Sequence, residues 1–247
     1  MSLAERVDAV VGLPAFPVRH GFTTTALGSM GLTNSTEAEA VMERRRLMAE
    51  QLGFDLTRAV LAAQVHGARV EVLHGGNGFM GARSILRTDA LGTDATGQAV
   101  MTFHADCYPV LFLDRARGVV GAAHAGWRGT LAGIPVEVVK ALAQNYGSRP
   151  DDLAVLIGPG ICGRCYEVRS DVSDRFVERF ADPDRYLAVD HGRMRLDLAA
   201  LIAIQLDQAG VPRQAIANSG WCTMEDDRWF SHRAGRNGRF LAAIVAP

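Results

Sequence analysis

Two apolar runs, residues 108–113 and 119–123, flank the polar stretch Asp114-Arg115-Ala116-Arg117-Gly118. A polar turn ending in glycine between two such runs predicts a β-hairpin centred near Ala116. Cys107 then lies nine residues before the centre and His124 eight residues after it. The two side chains are expected nearly opposite each other at the open end of the hairpin. Directly opposed residues have Cβ atoms about 4.5–5.5 Å apart, close enough to share a metal ion or a proton. A slip of one residue would send them to opposite faces, so the register of this hairpin decides whether they meet.

The rest of the chain reads as mixed α/β. A helix is predicted over residues 36–52, where Thr36 and Glu39 make a capping-box pattern and Gly53 supplies a stop. Strands are predicted over residues 59–65 and 69–73, joined by His66-Gly67 as a hairpin or a tight crossing, and over 98–103, 153–157 and 240–245. Helices are predicted over 131–146, 170–180 and 196–208, the last closed by Gly210. Strands that follow one another directly favour an antiparallel or mixed sheet over a regular βαβ repeat. The length of 247 residues suits one large domain or two small ones, and the chain shows no internal repeat, low-complexity tract or linker.

Charge and composition exclude several function classes. With 26 basic and 27 acidic residues, the chain lacks the basic excess of a general nucleic-acid binder. No apolar run approaches the roughly 18 residues of a membrane helix. The first residues carry Glu5 and Asp8 and no apolar h-region, so they do not read as a secretory signal and the cytoplasm is the expected compartment. The basic residues are 25 arginines and one lysine, Lys140, which follows Val136-Glu137-Val138-Val139 and no glycine loop. That excludes a P-loop and leaves a single lysine for Schiff-base chemistry. Cationic chemistry must therefore come from arginine or from a metal. Four cysteines, Cys107, Cys162, Cys165 and Cys222, are too few for a disulfide framework and read as buried thiols, metal ligands or a nucleophile.

His66 follows the strand pattern that ends in Gln64-Val65, and adds a third donor to Cys107 and His124. A thiolate with two imidazoles is a good zinc set, and three ligands with an open position is the catalytic arrangement. The same residues also suit a Cys107 nucleophile activated by His124, or a buried cysteine beside two satisfied histidines. Cys162-Gly163-Arg164-Cys165 is a Cys-x-x-Cys with β-like sequence after it, unlike a thioredoxin motif; a structural zinc site there would need partners, and Cys222 and scattered histidines are the candidates. The segment from Ser231 to Arg239 sets Arg233, Arg236 and Arg239 among glycines, a loop suited to an anion or to plain exposure. Asp89 and Asp94 read as ligand-orienting or acid/base groups, or as turn residues.

The strings Gln64-Val65-His66-Gly67, Thr88-Asp89-Ala90, Ala105-Asp106-Cys107-Tyr108-Pro109 and His124-Ala125-Gly126-Trp127-Arg128-Gly129 resemble the YfiH-type family. The resemblance continues through Gly158-Pro159-Gly160, Tyr166-Glu167-Val168, Cys222-Thr223 and Phe230-Ser231-His232-Arg233. Members carry the names polyphenol oxidase, laccase-domain protein, peptidoglycan editing factor and purine nucleoside phosphorylase. The resemblance implies one α/β domain over residues 1–247, a mixed-sheet sandwich with flanking helices and cysteine-hydrolase-like architecture. It implies a zinc site of His66, Cys107 and His124, phosphorolysis of adenosine, inosine or methylthioadenosine, and adenosine deamination. On that reading the partners are purine nucleosides and phosphate. Cys107, His124 and Asp106 are the catalytic candidates, with Asp89 as a second candidate for proton transfer or substrate contact. Arg128, Arg233 and Arg239 are the anion contacts.

The alternatives are a cysteine hydrolase or amidase editing peptidoglycan precursors, a copper polyphenol oxidase, and a non-catalytic binding module. The last would draw a fourth ligand from Cys162, Cys165 or Cys222. The absence of any His-x-His argues against multicopper chemistry, and leaves copper as an adventitious occupant of a zinc site. Two departures from the family pattern touch substrate contacts: Ala234 after Arg233, and Arg44-Arg45 in the first helix.

Overall fold

The computed structural model describes residues 9–32, 37–74 and 83–247. One six-stranded sheet runs in the order β1 (Val10–Val11), β2 (His20–Thr23), β15 (Phe240–Val245), β7 (Ala99–His104), β3 (Val60–Ala63) and β5 (Arg83–Leu86). A second runs β14 (Ile216–Asn218), β10 (Leu153–Ile157), β8 (Tyr108–Asp114), β9 (Val119–Ala125), β6 (Ala90–Thr93) and β4 (Val70–Leu73). A small third sheet joins β11 (Glu167–Val168), β13 (Arg193–Leu196) and β12 (Leu187–Asp190). Parallel and antiparallel pairs are mixed in both large sheets.

The two large sheets pack face to face. Phe22, Val100, Phe240 and Ala242 of the first meet Leu91, Leu111, Val120 and Leu156 of the second in one buried cluster. Helix α1 (Ala38–Leu52) covers the outer face of the first sheet through Met48, beside Leu61, Met101 and Ala243. Helices α3 (Ile134–Tyr146), α4 (Ser170–Arg179) and α5 (Leu198–Gln208) cover the outer face of the second through Val138, Phe176 and Ile202. The result is an α-β-β-α sandwich. It also explains the two continuous apolar runs: β8 and β9 are buried on both faces, so neither needs polar alternation.

The hairpin forms, with its register shifted from the expectation. Pro109 pairs with His124 and Tyr108 with Ala125, so Cys107 lies level with Gly126. Cys107 and His124 are diagonal neighbours, two residues out of step. A two-residue offset preserves the face, so the side chains still converge.

Three helices stop or start where local chemistry dictates. Gly53 ends α1 in the left-handed region at φ 67; the expected cap at Thr36 lies outside the described residues. The helix expected over residues 131–146 is two helices. A short α2 (Trp127–Leu131) precedes Gly133 at φ 88, and Pro135 then sits in the first turn of α3, where its missing N–H costs nothing. Helix α5 starts at Leu198 rather than 196, because the Asp197 carboxylate accepts the Ala200 N–H at 2.9 Å.

The chain passes from the first sheet to the second three times at one end of the sandwich. The crossings are β3 to β4 through His66-Gly67, β5 to β6 through Arg87-Thr88-Asp89, and β7 to β8 through Ala105-Asp106-Cys107. His66-Gly67 is thus a crossing and not a hairpin. Each crossing holds one non-glycine residue at positive φ: His66 (62), Arg87 (57) and Asp106 (81). Such residues cost about 1–3 kcal/mol each and persist where their surroundings fix them.

Candidate metal centre

The three crossings and the end of β9 bring His66, Cys107 and His124 together. One ligand atom from each lies within 4.8 Å of the others. The His66 and His124 rings meet edge to face with centroids 4.8 Å apart. His124 is buried, Cys107 half-buried and His66 exposed, so the cluster opens to solvent on the His66 side.

Asp89 organises this cluster from beneath. It is fully buried, and its carboxylate accepts the backbone N–H groups of Val65 (3.1 Å), His66 (2.8 Å) and Gly67 (2.8 Å). Its Oδ1 also bonds His124 Nδ1 at 3.0 Å. One carboxylate therefore fixes the strained His66 turn and the tautomer of His124, leaving His124 Nε2 for the cluster. Burial works against its ionisation, but His124 and the N–H groups of Gly67 and Val65 win, and Asp89 stays below the ordinary carboxylate value.

Burial also opposes ionisation of Cys107. The charge of His124 and hydrogen bonds from His124 and His66 outweigh it and pull the thiol down to about 6. His124 responds in kind: burial disfavours its charge, yet Cys107 and Asp89 lift it to about 9. Each of the two groups thus favours the charged form of the other. Gly126 makes room for the sulfur, since a Cβ there would meet Cys107 Sγ at 2.7 Å.

His104 lies beside this cluster, its ring centroid 5.4 Å from that of His124, and no sequence pattern marks it. Its Nδ1 bonds the Cys107 carbonyl at 3.1 Å and its Nε2 pairs with Thr102 Oγ1 at 2.7 Å. Burial, then the His124 charge, hold it well below the ordinary histidine value. Neutral His104 thus anchors the backbone of Cys107.

The remaining expected site residues divide by distance. Asp106 Oδ1 accepts Thr223 Oγ1 and Ser231 Oγ, both at 2.7 Å, and its Oδ2 accepts the Arg233 N–H at 2.8 Å. It therefore pins the C-terminal loop to the crossing. The Arg233 guanidinium stacks over Tyr166 at 5.2 Å and donates to Glu167 O at 2.9 Å. Arg128 is exposed and stacks over Trp127 at 4.3 Å. Arg233, Arg128, Cys107 and Asp106 all lie near enough to Tyr166 for their charges to act on it.

Arg239 lies one residue before Phe240, which pairs with His104, and its contacts are to a neighbouring loop. Its backbone N–H bonds Ser29 Oγ, its side chain packs against Gly31, and its guanidinium bonds Gly238 O at 2.7 Å. Arg44 and Arg45 bind the carbonyls of Ser29 and Met30 at 2.9 and 2.8 Å, so they hold that same loop. Two surface grooves of about 500 and 560 Å³ lie away from the cluster: one is lined by Arg69, Glu71 and Glu137, the other by Arg164, Arg185 and Arg195. Cys162, Cys165 and Cys222 do not join His66, Cys107 and His124; they form a separate group with Glu225.

The chain is similar to proteins of known name over nearly its whole length. Residues 17–247 match the family described as multi-copper polyphenol oxidoreductase laccase. A purine nucleoside phosphorylase of Deinococcus radiodurans is 38% identical, over 95% of this chain and 91% of its own. Purine nucleoside phosphorylase YlmD of Geobacillus stearothermophilus is 37% identical, over 87% of this chain and 82% of its own. The crystal structure of YlmD from Geobacillus stearothermophilus superposes with a TM-score of 0.84 at 33% identity, covering 95% of this chain and 94% of that one. The hypothetical protein YfiH of Bacillus licheniformis superposes with a TM-score of 0.83 at 32% identity, covering 92% of each chain.

Proposed function

Because the chain belongs to the family described as multi-copper polyphenol oxidoreductase laccase, we propose that it does what its relatives are named for, purine nucleoside phosphorolysis, with zinc at His66, Cys107 and His124. In this reaction the bond between the ribose C1′ and the purine nitrogen breaks, a bond from C1′ to a phosphate oxygen forms, and the purine leaves with a proton. Adenosine, inosine and methylthioadenosine are the proposed substrates. Deamination of adenosine by water, giving inosine and ammonia, is the proposed second activity. The setting is cytoplasmic, in keeping with four free thiols.

One observation carries the metal reading: ligand atoms of two imidazoles, not one, converge within 4.8 Å of the same sulfur. The donor set fits zinc in type and number, with three ligands and one open side. The Asp89 contact to His124 Nδ1 is the outer carboxylate that orients a metal-bound imidazole. A zinc ion held here supplies a Lewis acid beside the substrate. The chain's own residues do the rest. Asp89 fixes the His124 tautomer, His104 holds the Cys107 backbone, and Asp106 holds the loop that carries Arg233. Arg128 and Arg233 offer guanidinium forks to phosphate. The fixed partners of Asp89 and Asp106 make them positioning residues, and Arg239 lies outside this set.

A second reading has one observation in its favour. Asp89 bonds His124 at 3.0 Å, and a ring nitrogen of His124 lies within 4.8 Å of Cys107 Sγ, the order of orienter, base and nucleophile in a hydrolase. That reading gives a cysteine hydrolase or amidase acting on peptidoglycan precursors, and leaves His66 without a task. Copper oxidase chemistry has less support, because the cluster joins two histidines to one cysteine where a multicopper site needs many. Zinc-loaded protein incubated with adenosine and phosphate is expected to release adenine and ribose 1-phosphate, with inosine from deamination. Turnover of neither kind would sink the proposal. Labelling of Cys107 by a substrate-like electrophile in metal-free, active protein would favour the hydrolase.

A further inference from the structure

Cys162 and Cys165 lie on the loop between β10 and β11, and Cys222 and Glu225 on the turn after β14. One ligand atom from each of these four residues lies within 4.8 Å of all the others. The two loops are joined at Gly160 by backbone bonds on either side of Cys222, Gly160 N to Trp221 O at 3.1 Å and Thr223 N to Gly160 O at 3.0 Å. The Cys-x-x-Cys turn closes on itself, with the N–H groups of Cys165 and Tyr166 both on Cys162 O at 2.9 Å.

The carboxylate shows what the cluster is arranged for. Glu225 Oε2 is held by Arg164 at 2.8 Å, while Oε1 points at the sulfurs, 3.3 Å from Cys165 Sγ and 3.8 Å from Cys162 Sγ. Cys222 Sγ, the buried sulfur, receives the Cys162 backbone N–H at 3.4 Å. A backbone donor on a sulfur and an arginine on the outer oxygen of a carboxylate are supports of the kind that orient metal ligands. A dithiol built for disulfide exchange needs two sulfurs and neither a third thiol nor a carboxylate facing them. Three sulfurs and one oxygen from two loops make a closed, four-ligand set of the structural zinc kind.

We propose that Cys162, Cys165, Cys222 and Glu225 bind a second, structural zinc ion, distinct from the one at His66, Cys107 and His124. Its place gives it a task. Thr223, next to Cys222, donates to Asp106, and Ile161, next to Cys162, donates its N–H to Asp106 O at 2.9 Å and accepts the Tyr108 hydroxyl at 2.9 Å. The ion ties together the two loops that hold the crossing carrying Cys107.

The test is zinc per chain, measured on the full-length protein purified without chelator or immobilised-metal resin. The wild type is expected to hold two zinc ions, Cys107→Ala one, and Cys165→Ser one. Glu225 is exposed, so Glu225→Gln is expected to fold and to release its zinc to a chelator at least about tenfold more readily. In a Cys107→Ala background, cobalt is expected to give sulfur-to-metal charge-transfer absorption that Cys165→Ser weakens. The same zinc content in Cys165→Ser as in wild type would overturn the proposal. So would a wild type with a single zinc that Cys107→Ala removes, or a Cys162–Cys165 disulfide found by intact mass. A failure at Cys107 with zinc retained at Cys165 would count against the catalytic site alone.

Discussion

The two thiol clusters are built on different scaffolds. His66, Cys107 and His124 come from sheet crossings and a strand end, the first itself at positive φ and the second next to Asp106 at positive φ, and are held by carboxylates that never reach the open side. Cys162, Cys165, Cys222 and Glu225 come from two loops zipped by backbone bonds, and their carboxylate points inward. The first supplies three donors with nitrogen in the majority and one exposed face; the second supplies four, mostly sulfur, with none to spare. An open set leaves room for a reactant, whereas a closed set links pieces of chain.

The largest expected effects separate the two. Cys222→Ser should lower stability by at least about 3 kcal/mol, because loss of a structural metal is loss of folding free energy; chemical denaturation of zinc-loaded protein checks it. Cys107→Ala should leave the denaturation midpoint close to wild type. A large loss of stability in Cys107→Ala with little in Cys222→Ser would exchange the roles assigned to the clusters.

Asp89→Asn comes next. It removes the charge that four donors share and turns an NH₂ toward one of them. About a 10–100-fold loss of zinc affinity at the first cluster is expected, measured by chelator competition, together with about 2–4 kcal/mol of stability. Gly126→Ala should act on affinity more than on folding. The new methyl at 2.7 Å from Cys107 Sγ displaces the sulfur, while overpacking costs about 1–3 kcal/mol.

Arg128→Ala should raise the KM for phosphate about tenfold, in line with loss of one charged hydrogen bond, with little change in melting temperature. Arg239→Ala should change neither. Equal effects of both would mean that proximity to Tyr166 does not mark the anion site.

The smallest effect lies far from both clusters. His20 accepts the Leu13 N–H at 2.9 Å and bonds Val18 O at 2.7 Å, and burial holds its pKa below the ordinary 6.5. A lowered histidine pKa means that the unfolded chain binds the proton first, so stability is complete above 6.5 and falls as pH drops toward the folded value. His20→Gln should be less stable than wild type at pH about 8 and flatter in its dependence between about pH 7 and 5, as thermal melts across that range will show.

Much of this was legible in the sequence because it rests on local pattern. The runs around Asp114–Gly118 gave the hairpin, and strong turn and cap signals gave β10, β15 and Gly53. The three ligands of the open cluster came from strand ends, two of them followed by glycines. What escaped notice rests on tertiary packing. Strand β6, Ala-Leu-Gly-Thr, has weak β-propensity and exists because β4 and β9 pair with it on either side. Asp89 read as a turn or ligand residue because its four partners lie 22 to 35 positions away. Glu225 carries no signal beside Cys162 and Cys165, because thiols and histidines mark such a site in a sequence and the fourth donor is a carboxylate 60 or more positions away. The split at Gly133-Ile134-Pro135 was readable: glycine then proline is a helix start.

The central claim is that the open cluster, and not its closed counterpart, is where nucleosides react. The direct measurement is phosphate-dependent release of adenine from adenosine by zinc-loaded wild type and Cys107→Ala, at matched concentration and below both melting temperatures. The account predicts turnover by the wild type, and a loss of at least about a thousandfold in Cys107→Ala, the scale reached when a group acting on the transition state is removed. A Cys107→Ala protein that releases adenine at the wild-type rate would contradict it.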